Sequence, residues 1–340
     1  MATWKNNISA LKRTLSKAKR VLVVSHTNPD GDAVGSALGW QHYMRAAYPE
    51  TEVRVAFPNN FPKFLKWIDG ARNVMIYADM KDVVQRYLNR CDLVICLDFN
   101  ALSRLDDFGK DILNSTPPRV LIDHHLQPTD GEYTLVFSDI SMSSTSEFAY
   151  RVIVELGGKA MLTKAAAEAF YTGLITDTGS FTFGIHTPEV FRMAADMMEL
   201  GVDKDQVAAN VYDSYSENRM RLMGYCLYEK MRVLPQHKAA YIALSQDELR
   251  KYDFKPGDTE GFSNLPLSIK GIELAGFFTE APDKTHIRVS LRSKGKGISV
   301  NDLAREEFKG GGHFNAAGGK FFKSLEECEK RFEEILKERF

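Results

Sequence analysis

Histidines and aspartates recur in this chain where their side chains could converge. His26, Asp30 and Asp32 stand together in HTNPDGD, directly after the apolar run VLVVS and before the helical pattern AVGSALGWQHYM. Asp98 ends the run LVICL, and Asp123, His124 and His125 end RVLI. A lone aspartate after a strand is usually a helix cap or a turn residue. Three strand ends that each deliver Asp or His to one sheet edge form a different pattern, because the carboxyl-end loops of an open parallel sheet line its binding crevice. Gly31 lets the first of these loops turn tightly enough for neighbouring side chains to meet. Asp177 closes the apolar helical pattern AEAFYTGLIT. A carboxylate there is costly unless it is neutralised, and a metal cation is the natural partner. Oxygen and imidazole donors without a thiolate argue against a structural zinc site and for a hard to borderline cation. Mn²⁺ is the first choice, with Mg²⁺ or Co²⁺ as substitutes.

These residues need a parallel α/β sheet to hold them. The first half supplies one: Val21 to Ser25, Val53 to Phe57, Leu93 to Leu97 and Val120 to Ile122 read as strands separated by helical patterns. Apolar residues fall at helical spacing from Ser144 to Leu156 and again from Lys164 to Thr176. Pro188, as a first-turn proline, opens a run of helices to about Tyr228. From about Met231 longer β segments appear, including Ala239 to Leu244, Ile272 to Phe278 and Ile287 to Leu291, with a helix from Gln246 to Tyr252. The expected organisation is an α/β parallel-sheet catalytic domain over residues 1–190, a helical connection over 191–230, and a smaller α/β domain with a mixed sheet over 231–340. The cleft between two such domains is the default ligand site.

Composition narrows the classes. With 340 residues and 44% hydrophobic content the chain can bury two cores. No apolar stretch is long enough for a membrane span, and MATWKNNISALKRTLSKAKR reads as the start of an amphipathic helix, not a signal peptide. Cys91, Cys96, Cys226 and Cys328 are scattered, which suits a reducing cytoplasm. A formal net charge of −1 disfavours long duplex nucleic acid, whose binding needs a strong basic excess. Nothing in the pattern establishes a homodimer, although association is compatible with it. His42, His186, His237 and His286 read as surface or structural residues. Met193 to Met198 fits helix packing, and Phe314 suits either a stacked base or the core.

The motifs HTNPDGDAVGS, ICLDFN, LIDHH and TDTGS, in this order, resemble the DHH phosphoesterases. The glycine-rich stretch Gly310-Gly-Gly-His313-Phe-Asn-Ala-Ala-Gly is similar to the loop of the DHH-associated domain, so the resemblance spans about residues 21 to 320. Two domains at this length look most like the bifunctional branch of oligoribonucleases and 3′-phosphoadenosine 5′-phosphate phosphatases, the nanoRNases. The resemblance implies two divalent cations, one on His26, Asp30 and Asp98, the other on Asp32, Asp98, His124 and Asp177, with Asp98 bridging. Cations about 3.5–4 Å apart acidify a shared water and clamp phosphoryl oxygens. Asp123 would then fix an imidazole or orient water, and His125 would face the substrate phosphate as donor or general acid. Gly311, Gly312 and His313 would approach a phosphate or base and present N–H groups to it, with a plain tight turn as the alternative reading. Arg292, ending IRVSL, offers a bidentate fork, and Arg104 would help hold phosphate.

The activity this implies is hydrolysis of dinucleotides to about pentanucleotides, short single-stranded RNA, to mononucleotides, together with dephosphorylation of 3′-phosphoadenosine 5′-phosphate to AMP. A cyclic di-AMP phosphodiesterase shares every motif and is the nearest alternative. Inorganic pyrophosphatase fits the GGGH loop less well. A RecJ-type exonuclease acting on long single strands would want further nucleic-acid-binding segments and more positive charge. A non-catalytic nucleotide sensor would have lost ligands, and none of the six is missing.

Overall fold

A computed structural model describes residues 3–182, 184, 187–213 and 215–339; His186 lies outside the described residues. The chain divides into two compact units, Met1–Ser214 and Tyr215–Phe340.

In the first unit the apolar runs form a parallel sheet of β1 (Arg20–Val24), β2 (Glu52–Phe57), β3 (Met75–Ile76), β4 (Leu93–Leu97), β5 (Arg119–Asp123) and β6 (Leu135–Ser138). The four expected strands are present, and the short outer strands β3 and β6 join them. Strand order is β3-β2-β1-β4-β5-β6, all parallel. The chain therefore winds one way from β1 and back the other way from β4, and the order reverses between these two strands. Such a reversal opens a crevice at the carboxyl ends of the flanking strands.

Side chains alternate across the sheet, so each strand feeds two cores. Val21, Val23, Ile95, Leu97, Val120 and Ile122 face a layer containing α1 (Ile8–Lys17), α2 (Gly31–Ala47), α5 (Thr145–Glu155) and α6 (Lys164–Asp177). Leu22, Val24, Val94, Cys96 and Leu121 face α3 (Tyr77–Leu88) and α4 (Asp106–Leu113). The helices α7 (Glu189–Glu199) and α8 (Lys204–Tyr212), expected within a separate connection, instead bury Val190, Met193, Met197, Val207 and Val211 in the first core. Pro188 is the N-cap of α7 rather than its first helical residue. Within the Met193–Met198 stretch, Met193 and Met197 pack inward and Met198 is exposed.

Helices α2 and α6 approach unusually closely. A Cβ on Gly35 would lie 2.5 Å from the Ala169 carbonyl oxygen and 2.7 Å from Gly173 N, and one on Gly173 would lie 2.8 Å from Asp32 Oδ1. Glycine at these two positions brings the start of α2 and the end of α6 to the same sheet edge.

The second unit begins with α9 (Glu217–Tyr225) and carries the mixed sheet β11-β12-β10-β9-β8-β7. Its strands are β7 (Met231–Leu234), β8 (Ala239–Leu244), β9 (Leu274–Glu280), β10 (Ile287–Ser293), β11 (Gly311–Gly312) and β12 (Ala316–Phe321); only β8 and β9 pair in parallel. α11 (Val300–Glu307) and α12 (Leu325–Arg339) cover Tyr241, Phe278, Val289 and Leu291 on one face. On the other, Leu222 of α9 and Leu249 of α10 (Gln246–Lys251) pack with Phe262 over Ile242, Leu244 and Phe277.

Candidate metal centre

The loop after β1 is tied down before any ligand is considered. Thr27 donates its N–H to the Arg104 carbonyl at 2.9 Å and its hydroxyl to Asp106 at 2.9 Å. Asn28, at φ 57°, exchanges hydrogen bonds with Asn59 at 2.7 and 2.8 Å. The loop thus hangs on both neighbouring connections, and His26, Asp30 and Asp32 leave it in fixed directions.

Asp30 does two things. One oxygen caps α2, accepting from Asp32 N at 3.1 Å and Ala33 N at 3.0 Å; the other stands 4.0 Å from His26 Nε2. The helix-cap reading and the ligand reading of this residue are therefore compatible. Asp98 follows β4 with φ 67°, a left-handed conformation that aspartate tolerates better than most residues but that still costs energy. The turn sends its side chain between the two histidines: Oδ2 lies 3.4 Å from His26 Nε2 and Oδ1 lies 3.6 Å from His124 Nε2. His124 Nε2 also faces Asp177 at 3.5 Å and Asp32 at 3.9 Å.

Each of these imidazoles has its other nitrogen engaged. His26 Nδ1 donates to the Thr27 carbonyl at 2.9 Å and His124 Nδ1 to that of Met142 at 3.2 Å. A carbonyl accepts only, so Nδ1 carries the hydrogen and Nε2 is turned toward the carboxylates, as in metal-ligating histidines. Two donor groups result, His26 with Asp30 and Asp98, and Asp32 with His124 and Asp177, each with its donor atoms within 4.8 Å of one another.

Electrostatics agree with the fit. Asp32 is buried and pushed well above the usual carboxylate range, first by burial and then by the charges of Asp98 and Asp177. Burial acts the same way on Asp98, but a hydrogen bond from His26 and the charges of His125, His26 and His124 outweigh it and hold Asp98 low. Burial opposes the charged form of His124, yet Asp177, Asp98 and Asp32 raise it to about 9. Asp177 also sits at the negative end of α6, where a carboxylate is disfavoured. A crowd of carboxylates desolvated together wants positive charge, and among the described residues the ion pairs of Asp32 and Asp98 are with histidines. A divalent cation fits this donor set.

Asp123, the last residue of β5, is fully buried and accepts from His125 Nδ1 at 2.6 Å, while its second oxygen has no hydrogen-bond partner among the described residues. The imidazole of His125 is thereby oriented by a carboxylate. Arg104 lies in the turn after β4, where burial first and then its charge oppose the protonated form of His26; the Asp98 hydrogen bond and the charges of Asp30 and Asp98 outweigh both and raise His26.

In the second unit Arg292 lies in β10, opposite Ala316 of β12 and Ala275 of β9, and donates to the Leu291 carbonyl at 2.9 Å. Gly311 and Gly312 pair with Gly318 and Ala317 in a hairpin whose turn contains His313. The Gly312 N–H donates to Asn301 Oδ1 of α11 at 2.9 Å instead of being presented outward. Phe314 is exposed, so the core reading of that residue does not hold.

Sequence reasoning missed the N-terminus of α5. Thr145 N and Ser146 N donate to the two oxygens of Asp32 at 2.6 and 2.8 Å, and the Thr145 hydroxyl donates to Asp98 Oδ1 at 2.9 Å. The signal was Ser144-Thr-Ser-Glu147 before an apolar run, a helix start whose unpaired N–H groups favour an anion.

A carboxylate and imidazole centre at the reversal point of a doubly wound sheet defines a metal-dependent α/β enzyme. More particularly, the chain belongs to the DHH family of phosphoesterases: residues 20–174 match the DHH family, N-terminal domain, and residues 237–340 match the DHHA1 domain. It is 30% identical to the probable bifunctional oligoribonuclease and PAP phosphatase NrnA of Streptococcus mutans, over 96% of this chain and 98% of that one. It is also 30% identical to the bifunctional oligoribonuclease and PAP phosphatase NrnA of Bacillus subtilis, with 92% of each covered. The crystal structure of an exopolyphosphatase-related protein from Bacteroides fragilis superposes with a TM-score of 0.91 at 39% identity, covering 98% of this chain and 96% of that one. The cyclic-di-AMP phosphodiesterase PdeA of Listeria monocytogenes is more distant, 26% identical, and this chain covers 48% of its length.

Proposed function

We propose that this enzyme hydrolyses short single-stranded oligoribonucleotides, dinucleotides to about pentanucleotides, to mononucleotides and removes the 3′-phosphate of 3′-phosphoadenosine 5′-phosphate to leave AMP. The observation that carries the reading is the convergence of His26, Asp30, Asp32, Asp98, His124 and Asp177 on one sheet edge, in a chain that follows bifunctional relatives over nearly its whole length.

Two divalent cations, Mn²⁺ by preference, are held by His26, Asp30 and Asp98 on one side and by Asp32, Asp98, His124 and Asp177 on the other. Bound there, they supply Lewis acidity toward a phosphoryl group. The chain's own groups do the rest. Asp123 keeps His125 in one orientation, and His125 gives a proton or a hydrogen bond to a phosphate ester oxygen. Arg104 adds positive charge beside His26. In the second unit Arg292 grips a phosphate, and the Gly311–His313 hairpin lines the surface that binds it. Four free cysteines, all buried, suit a reducing cytoplasm.

Cyclic di-AMP hydrolysis is the second reading, favoured by the likeness to PdeA. Product analysis with Mn²⁺ separates them, offering in parallel a 5′-phosphorylated dinucleotide, a pentanucleotide, a 24-mer, 3′-phosphoadenosine 5′-phosphate and cyclic di-AMP. Mononucleotides from the short linear substrates and AMP from the bisphosphate, with the 24-mer and the cyclic substrate slow, are expected. Preference for the cyclic substrate would make this a signalling phosphodiesterase, and no hydrolysis of any of them would leave only nucleotide binding.

A further inference from the structure

We propose that Thr145 is a positioning residue of the metal centre, one that orients Asp98 and Asp32 at once and so couples the two donor groups. The inference rests on the reading of this edge as a metal centre and names what holds its bridging carboxylate in place.

Asp98 has a demanding task. Its two oxygens must face opposite ways, Oδ2 toward His26 and Oδ1 toward His124. Rotation of a carboxylate about its last bond is soft, with broad two-fold wells, so backbone placement alone does not set the plane. On the Oδ2 side His26 stands at 3.4 Å. On the Oδ1 side His124 at 3.6 Å and His125 at 3.8 Å are beyond ordinary hydrogen-bond length, and the Thr145 hydroxyl at 2.9 Å is the close donor. An ionised carboxylate accepts only, so the hydroxyl hydrogen points at Oδ1 and fixes the plane.

The same residue reaches the second donor group through its backbone. Thr145 and Ser146 are the first two residues of α5, where N–H groups have no partner within the helix, and both donate to Asp32. One rigid helix start therefore aligns two carboxylates from different places in the chain, the turn after β4 and the start of α2. Thr145 is fully buried, so water cannot replace its hydroxyl. The β-branch matters as well: threonine has fewer open rotamers than serine, so its Oγ is held on Asp98. Carboxylates that ligate metals are themselves hydrogen-bonded, and loss of such a partner commonly costs about 10–100-fold in metal affinity or activity.

The test uses the full chain with Thr145→Val, which keeps the shape and the backbone N–H but removes the donor, and Thr145→Ser, which keeps the donor. Mn²⁺ alone is titrated into each by calorimetry, and dinucleotide hydrolysis is followed at saturating Mn²⁺. Thr145→Val is expected to bind Mn²⁺ about 10–100-fold more weakly and to lose kcat with KM nearly unchanged; Thr145→Ser is expected to recover most of both. Wild-type Mn²⁺ affinity in Thr145→Val would overturn the inference, as would a Thr145→Ser variant no better than the valine one. If the valine variant fails to fold, Thr145→Ala is read in its place by the same criteria. A wild-type protein that binds no Mn²⁺ would instead remove the metal-centre reading itself, before Thr145 is reached.

Discussion

Asp30 shows how one side chain serves structure and chemistry together. Its first oxygen satisfies two N–H groups at the start of α2, and its second belongs to the His26 donor group. The two roles respond differently to substitution. Asparagine caps helices about as well as aspartate, whereas alanine forfeits about 1 kcal/mol. Asp30→Asn is therefore expected to melt close to the wild-type temperature while losing most Mn²⁺ affinity, and Asp30→Ala to lose both. Thermal unfolding without metal, paired with a Mn²⁺ titration, checks this. An Asp30→Asn protein with normal metal affinity would restrict Asp30 to the cap. At this scale the sequence was highly legible, because ligands announce themselves as Asp and His after apolar runs. The amides of Thr145 and Ser146 were not, since a backbone N–H has no residue type to betray it.

At the scale of elements, the close pairing of α2 with α6 carries Asp32 and Asp177 to one place. Alanine normally improves a helix interior by about 1 kcal/mol over glycine. At Gly35 the added methyl would meet backbone atoms of Ala169 and Gly173 that cannot swing aside, and such overpacking costs about 1–3 kcal/mol. Gly35→Ala is thus expected to lower stability in urea unfolding and to weaken metal binding through displacement of Asp32; a more stable protein would mean that the helices part freely. In the second unit, Glu248 closes a capping box with Ser245 at the start of α10 and also meets Lys230 and the Tyr225 hydroxyl. Burial would raise its carboxyl, but the Lys230, Tyr225 and Ser245 hydrogen bonds dominate and pull it from 4.5 to about 2. Folding then favours the ionised form. The stabilisation is complete above about pH 4.5 and is lost as pH falls toward 2, so Glu248→Gln should flatten the acid limb of a stability–pH profile and cost about 1 kcal/mol at pH 7. An unchanged acid limb would show that Glu248 contributes nothing there. Strand positions were legible from apolar runs, yet β3, with two residues, and β6, whose Val136 is exposed, carry too little apolar signal to be found.

At the scale of the whole molecule, the division falls within the stretch 191–230 that the sequence reads as a connection. Helical periodicity reveals that α7 and α8 exist but not which core their apolar faces join, and they join the first. Every proposed metal ligand lies in the first unit, just after β1, β4 and β5, at the start of α2 and at the end of α6. A ligand that binds only the folded form stabilises it by about 2.7 kcal/mol at 100 times its Kd, and the effect is confined to the segments whose opening destroys the site. Hydrogen exchange with and without saturating Mn²⁺ is therefore expected to slow in residues 20–33, 93–98, 119–125, 144–147 and 172–178, with residues 231–339 little altered. Slowing in 144–147 is the discriminating part of that pattern, because this segment contributes no ligand and is protected only if α5 is fastened to the centre through Asp32 and Asp98. Protection spread evenly over both units would instead mean that the metal acts on global unfolding, and would detach the cation from this sheet edge.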